Sequence, residues 1–179
     1  MSHRLDEQAV VAAQVGRPLR SAIHTVWRLG CPFQLPVVVR VPPLLDDGTP
    51  FPTRFWLSCP LAVRRVGRLE SAGGVRAMDR RAAAHPEFGH RLQAAHQRYA
   101  AERDAALPED ARARPGGGVG GARAGVKCLH AHYADYRAGH DNPVGEQVAP
   151  WIEPLDCRVP CVTAQDGRVV RNPGWREPR

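Results

Sequence analysis

The sequence predicts an α+β fold: a small antiparallel sheet from the first half, packed by four or five helices, with a C-terminal β-hairpin. Three observations carry this prediction. Short alternating or β-branched runs follow one another between residues 21 and 57, with connections too short for crossover helices. Helix signals punctuated by glycine and proline then fill residues 60–107. Near the C-terminus, Gln165-Asp166-Gly167 separates two short runs, a strong hairpin signal.

Taken in order, residues 4–15 read as a short helix ended by Gly16 and Arg17-Pro18. Residues 21–28 alternate roughly by two and read as a strand, and Gly30-Cys31-Pro32 makes a turn. Residues 36–41 are β-branched and form the second strand, stopped by Pro42-Pro43. After the loop Asp46-Asp47-Gly48-Thr49-Pro50, residues 53–57 supply the third. Pro60 suits the first position of a helix running to about Ala72, which makes Cys59 its N-cap. Residues 75–84 form a second helix in this region, broken by His85-Pro86. Residues 86–107 form a longer one, with Phe88, Leu92, Ala95 and Tyr99 as its apolar stripe. The Gly-rich stretch 115–125 reads as a flexible loop inside one domain spanning residues 1–171. It lacks the Gly-Lys-Ser or Gly-Lys-Thr of a phosphate-binding loop. A helix follows it and stops at Gly139, residues 143–152 add a helical turn or two, and residues 172–179 read as a disordered tail.

Composition narrows the function classes. The net charge is +7 and the pI near 9.8, yet Lys127 is the only lysine. Asp79, Glu87, Glu102 and Asp104 sit inside the most Arg-rich region, so the expectation is a solvated surface that meets an anion or an acidic protein partner weakly. The four tryptophans form no stacking platform along a basic stripe, which argues against nucleic acid. No apolar run reaches membrane-spanning length, and Met1 to Gln8 carries no apolar leader, so a cytoplasmic protein is expected. Five cysteines there are reduced thiols, not a disulfide framework.

The densest chemistry lies between Gly125 and Tyr136. A regular helix over this stretch sets Cys128, His132 and Asp135 on one face and Leu129, Tyr133 and Tyr136 on an adjoining core face. His130 then points away from Cys128 and is expected to bond to backbone or to a carboxylate. Cys59, Cys128, Cys157 and Cys161, with His132 as alternate, form a ligand set for zinc or an iron–sulfur cluster. Cys31 is set aside as a bystander, although its turn could supply a ligand. Two other readings stand beside this one. Cys59 at a helix N-terminus, paired with His130 or His132, describes a thiol enzyme. Buried inert thiols on a basic protein describe a metal-free interaction module. Lys127, Asp135 and Asn142 are further site candidates, with Asn142-Pro143 starting the next helix.

Several segments carry a resemblance. They are Gly48-Thr49-Pro50-Phe51-Pro52-Thr53 leading into Phe55-Trp56-Leu57-Ser58-Cys59-Pro60, Arg68-Leu69-Glu70-Ser71-Ala72-Gly73, and Val126-Lys127-Cys128-Leu129-His130 with Asn142-Pro143-Val144-Gly145. Together they resemble the bacterial family known as domain of unknown function 501, from the first helix to about Gly145. The resemblance implies a bacterial, cytoplasmic, single-domain protein of undefined activity and brings no catalytic residues. The roles of His132 and of the Cys157 and Cys161 pair rest on chemistry alone.

Overall fold

The structure, a computed structural model, describes residues 6–178. Strands β1 (Thr25–Trp27), β2 (Val38–Arg40) and β3 (Phe55–Leu57) form an antiparallel sheet in the order β1-β2-β3. Val38 pairs with Trp27 on one side and with Leu57 on the other. The central strand is apolar on both faces because both are covered. Val38, Phe55 and Leu57 belong to the main core, while Val39 and Val41 pack with Val11 on the opposite face. Val11 comes from helix α1 (Glu7–Val15), whose expected start at residues 4 and 5 lies outside the described residues. Only three residues of the expected 21–28 strand pair regularly. Before them, Ile23 donates its amide to the Gln8 side chain and His24 donates to the Arg40 carbonyl.

Helix α2 (Pro60–Ser71) starts at Pro60 as expected, with Cys59 in the capping position, and buries Leu61, Ala62 and Val66. Gly73 adopts φ 88°, which favours glycine and turns the chain into α3 (Gly74–Ala84). His85-Pro86 breaks that helix, and α4 (Pro86–Ala105) follows. Leu92, Ala95 and Tyr99 of the predicted stripe are buried. The Tyr99 hydroxyl accepts from the amides of Arg54 and Phe55, which ties α4 to β3. The Gly-rich stretch, expected as a flexible loop, is instead built against α4. His96 Nδ1 accepts the Val119 amide, and Arg103 donates to the Gly117 carbonyl. A Cβ on Gly118 would lie 2.4 Å from His96 Nδ1, so only glycine lets the backbone approach this closely.

Helix α5 (Leu129–Arg137) is the axis of the core. It packs on β3, α2 and α6 (Pro143–Ile152), and Leu129, Ala131, His132, Tyr133, Ala134 and Asp135 are all buried. Residues 143–152 make ten residues of helix, more than the expected turn or two. The Asn142 side chain caps the first turn by accepting the Gly145 amide, and Pro143 takes the position where a missing N–H costs nothing. Six α-helices are therefore present among the described residues. The expected C-terminal hairpin is β4 (Val162–Gln165) with β5 (Arg168–Arg171). It lies on α1, where Arg171 donates to the Ala13 and Gln14 carbonyls, a cation on a helix C-terminus. Residues 172–178, expected as a tail, fold back on the body. Arg64 stacks over Trp175, and Glu177 pairs with Arg68. Among the described residues no helix is long and apolar enough to cross a membrane.

The crossing of α5 and α6 depends on Gly145. A Cβ there would lie 2.3 Å from the Tyr136 Cβ and 2.5 Å from the His132 carbonyl oxygen. Gly145→Ala is expected to destabilise the fold by about 1–3 kcal/mol through overpacking. Urea denaturation checks this, and an unchanged midpoint would show that the helices part freely.

Candidate metal centre

Three groups of polar side chains occupy the interior and its margins. The first gathers at the N-terminus of α5. Cys128 is not in the helix but caps it, with φ −154° and ψ 120°. That extended geometry overturns the expectation that Cys128 and His130 face opposite ways, because the helical turn meant to separate them begins one residue later. The Cys128 thiol, His130 and Glu70 bring one ligating atom each to within 4.8 Å of one another. His130 Nδ1 lies 3.2 Å from Glu70 Oε1, and Nε2 lies 3.1 Å from the Val63 carbonyl oxygen. The same Glu70 oxygen accepts the Leu129 amide. Burial opposes charge on His130, but the Cys128 hydrogen bond, the Glu70 carboxylate and the Val63 carbonyl raise its pKa to about 9. His130 thus bonds to backbone and carboxylate as expected, while sharing one site with Cys128.

The second group is thiol. Cys59, Cys157 and Cys161 line one cavity, and the fourth cysteine on it is Cys31, the one set aside, in place of Cys128. All five cysteines are free. Burial pushes Cys59 up to about 12 and raises Cys157 and Cys161 too. Burial that favours the protonated thiol makes a poor nucleophile, so the surroundings of Cys59 do not favour it as an enzyme nucleophile.

The third group surrounds Asp135, which is fully buried. Arg98 and the Asn142 side-chain amide both donate to Asp135 Oδ2, and His140 Nδ1 lies 3.1 Å from Oδ1. Asn142 Oδ1 accepts from Gly145 and lies 3.0 Å from His132 Nδ1. The proton on His132 therefore sits on Nδ1, and its ring meets that of His96 edge to face at 5.6 Å. Burial lowers the His132 pKa to about 4, so the ring is neutral. The structure places His132 and Asp135 on this α5–α6 network, apart from the Cys128 cluster and from the thiol cavity. Lys127 is exposed.

Sequence reasoning missed Glu70 and undervalued Cys31. Signals for both were present. Glu70 lies within a motif that carries the resemblance, and Cys31-Pro32 repeats the Cys59-Pro60 pattern.

Fold and side-chain clusters define an α+β protein with a Cys/His/Glu cluster at the start of its central helix. A family model described as "Protein of unknown function (DUF501)" matches residues 27–150, more than half of the chain. The chain belongs to that family. The match starts at Trp27, the last residue of β1, so α1 lies outside it, as do Cys157 and Cys161. Comparison with curated proteins gave no match, and comparison with solved structures gave none.

Acid stability reports on the Asp135 network. Burial alone would raise its pKa, but His140, Arg98 and Asn142 outweigh that and hold it below the ordinary 3.8. A depressed folded value means that this stabilisation is present above pH 3.8 and is lost as pH falls through the folded pKa. Acid unfolding below pH 4 is therefore expected to be shallower in Asp135→Asn than in the parent. Urea midpoints taken from pH 5 to pH 2 measure it, and parallel curves would remove Asp135 from the account.

Proposed function

We propose that the chain is a metal-binding protein whose ion sits on Glu70, Cys128 and His130, in a reducing compartment such as the cytoplasm. The observation that carries this reading is the approach of a carboxylate oxygen, a sulfur and a ring nitrogen to within 4.8 Å. The Val63 carbonyl holds the proton on His130 Nε2 and leaves Nδ1 to the ion, the usual outer support of a histidine ligand. The mixed sulfur, nitrogen and oxygen donors suit zinc, whereas an iron–sulfur cluster takes mainly thiolates. Both Glu70 and His130 keep over a quarter of their side-chain surface exposed. Three protein ligands on such a half-open site leave a fourth position for water or a substrate atom, the pattern of reactive zinc. Five free thiols support the reducing compartment.

Zinc content after purification under reducing conditions tests the reading. Cys128→Ser and His130→Ala are each expected to lose one zinc equivalent, because a hydroxyl or a methyl replaces a ligand. Unchanged zinc in both folded variants would contradict it.

One cleft supports a second, metal-free reading. Arg17, Arg64 and Arg171 line it together with Trp56 and Trp175. This suits a small anion or an acidic side chain of a protein partner. Among the described residues ten arginines, Arg64 of this cleft included, already pair with carboxylates, so binding is expected to be weak and salt-sensitive. Tryptophan fluorescence titrated with pyrophosphate reads it. Quenching that disappears between about 50 and 200 mM salt is the expected result. Tight, salt-resistant binding would give this reading first place.

A further inference from the structure

We propose that Cys31, Cys59, Cys157 and Cys161 together hold a second metal centre through four thiolates, separate from the Glu70, Cys128 and His130 cluster. Three distant segments bring these residues to one cavity: the turn after β1 with Cys31, the cap of α2 with Cys59, and the connection from α6 to β4 with Cys157 and Cys161. The rest of the wall includes Leu35, Leu61 and Leu155, a water-poor surround. The thiols are free despite their convergence.

Hydrogen-bond direction is the second observation. Trp175 Nε1 donates to Cys157 Sγ and Gln14 Nε2 to Cys161 Sγ, each at 3.5 Å. Cys59 caps α2 with no side-chain hydrogen bond of its own. A protonated thiol is a weak acceptor and a thiolate a strong one. Two of the four sulfurs, Cys157 and Cys161, thus face donors of the kind that support a metal-bound thiolate from its outer shell. Packing alone accounts for one buried cysteine at a time. It does not account for four on one cavity with side-chain N–H groups directed at two of them.

Spacing sets the chemistry. No three of the four sulfurs lie within 4.8 Å of one another. Zinc, with Zn–S of about 2.3 Å, draws tetrahedral sulfurs to about 3.8 Å apart, so a zinc ion requires the side chains to rotate inward. An iron–sulfur cluster spans a wider set of thiolates. Both are soft-ligand chemistry on the same four atoms. Either would clasp α1, α2 and the C-terminal segment through Gln14, Cys59 and Trp175.

The test uses the full chain, purified without oxygen, with zinc, iron and acid-labile sulfide measured in parallel. Cys128→Ser removes the first cluster, so failure of that reading leaves this result unaffected. In Cys128→Ser the centre is expected to remain, as one zinc per chain or as iron with matching sulfide and visible absorbance. It is lost when Cys157→Ser is added. Because that double variant could fail to fold, thiol alkylation of the Cys128→Ser protein is followed by mass spectrometry before and after chelator. Cys31, Cys59, Cys157 and Cys161 are expected to become reactive together, at least tenfold faster after metal removal. Metal-free Cys128→Ser protein whose four thiols alkylate independently of chelator would overturn the proposal.

Discussion

The buried carboxylate of Asp135 is the constraint on which the arrangement of helices depends. A fully buried charge costs several kcal/mol unless paired and hydrogen-bonded. The chain meets this with two donors on Oδ2, Arg98 from α4 and Asn142 from the cap of α6, and sets His140 from the turn after α5 3.1 Å from Oδ1. Each neighbour comes from a different part of the fold, so accommodating one carboxylate ties three positions to α5. Asn142 extends the constraint. Its oxygen caps α6 and meets His132, and its amide holds Asp135. No apolar residue could do both, which is why the tight Gly145 crossing and this polar cluster occur together.

With α5 fixed along its length, its N-terminus becomes a defined place. Cys128 sits on the extended residue before the helix, and Glu70 from α2 reaches across to cap Leu129 and contact His130. The cluster is thus assembled from two helices whose packing is set by Leu61, Val66 and Leu129 in the common core. The thiol cavity lies at another margin, where α1, the turn after β1 and the C-terminal segment close over the start of α2. One helix, α2, serves both places, with Cys59 before its first turn and Glu70 in its last.

Much of the fold was legible because it rests on local signals. The three strands, the Pro60 and Pro86 helix starts, the Gly73 break and the hairpin at Asp166-Gly167 follow from residue conformational preferences. The site was only half legible. That Cys128 and His130 belong to one place depended on whether Cys128 is helical or a cap, a difference of one residue that periodicity does not resolve. Glu70 looked like an ordinary charged residue on a solvated helix face, and only the packing of α2 against α5 turns it toward His130. Cys31 and Cys128 exchange places relative to expectation because thiol convergence is a matter of tertiary geometry. Residues 172–178 read as a tail from composition, since Trp175 and Glu177 find their partners in α2, a hundred residues away.

The central claim is that the Asp135 network fixes α5, and it is tested most directly by a double-mutant cycle. Arg98→Met, Asp135→Asn and the pair would be compared by urea denaturation at pH 7. Arg98 is about one-third exposed and Asp135 not at all, so the pair lies between a surface and an interior ion pair. A coupling energy of about 2 kcal/mol, above the roughly 0–1 kcal/mol of exposed pairs, is the predicted result. Additive effects, with coupling near zero, would contradict the account and leave α5 held by apolar packing alone.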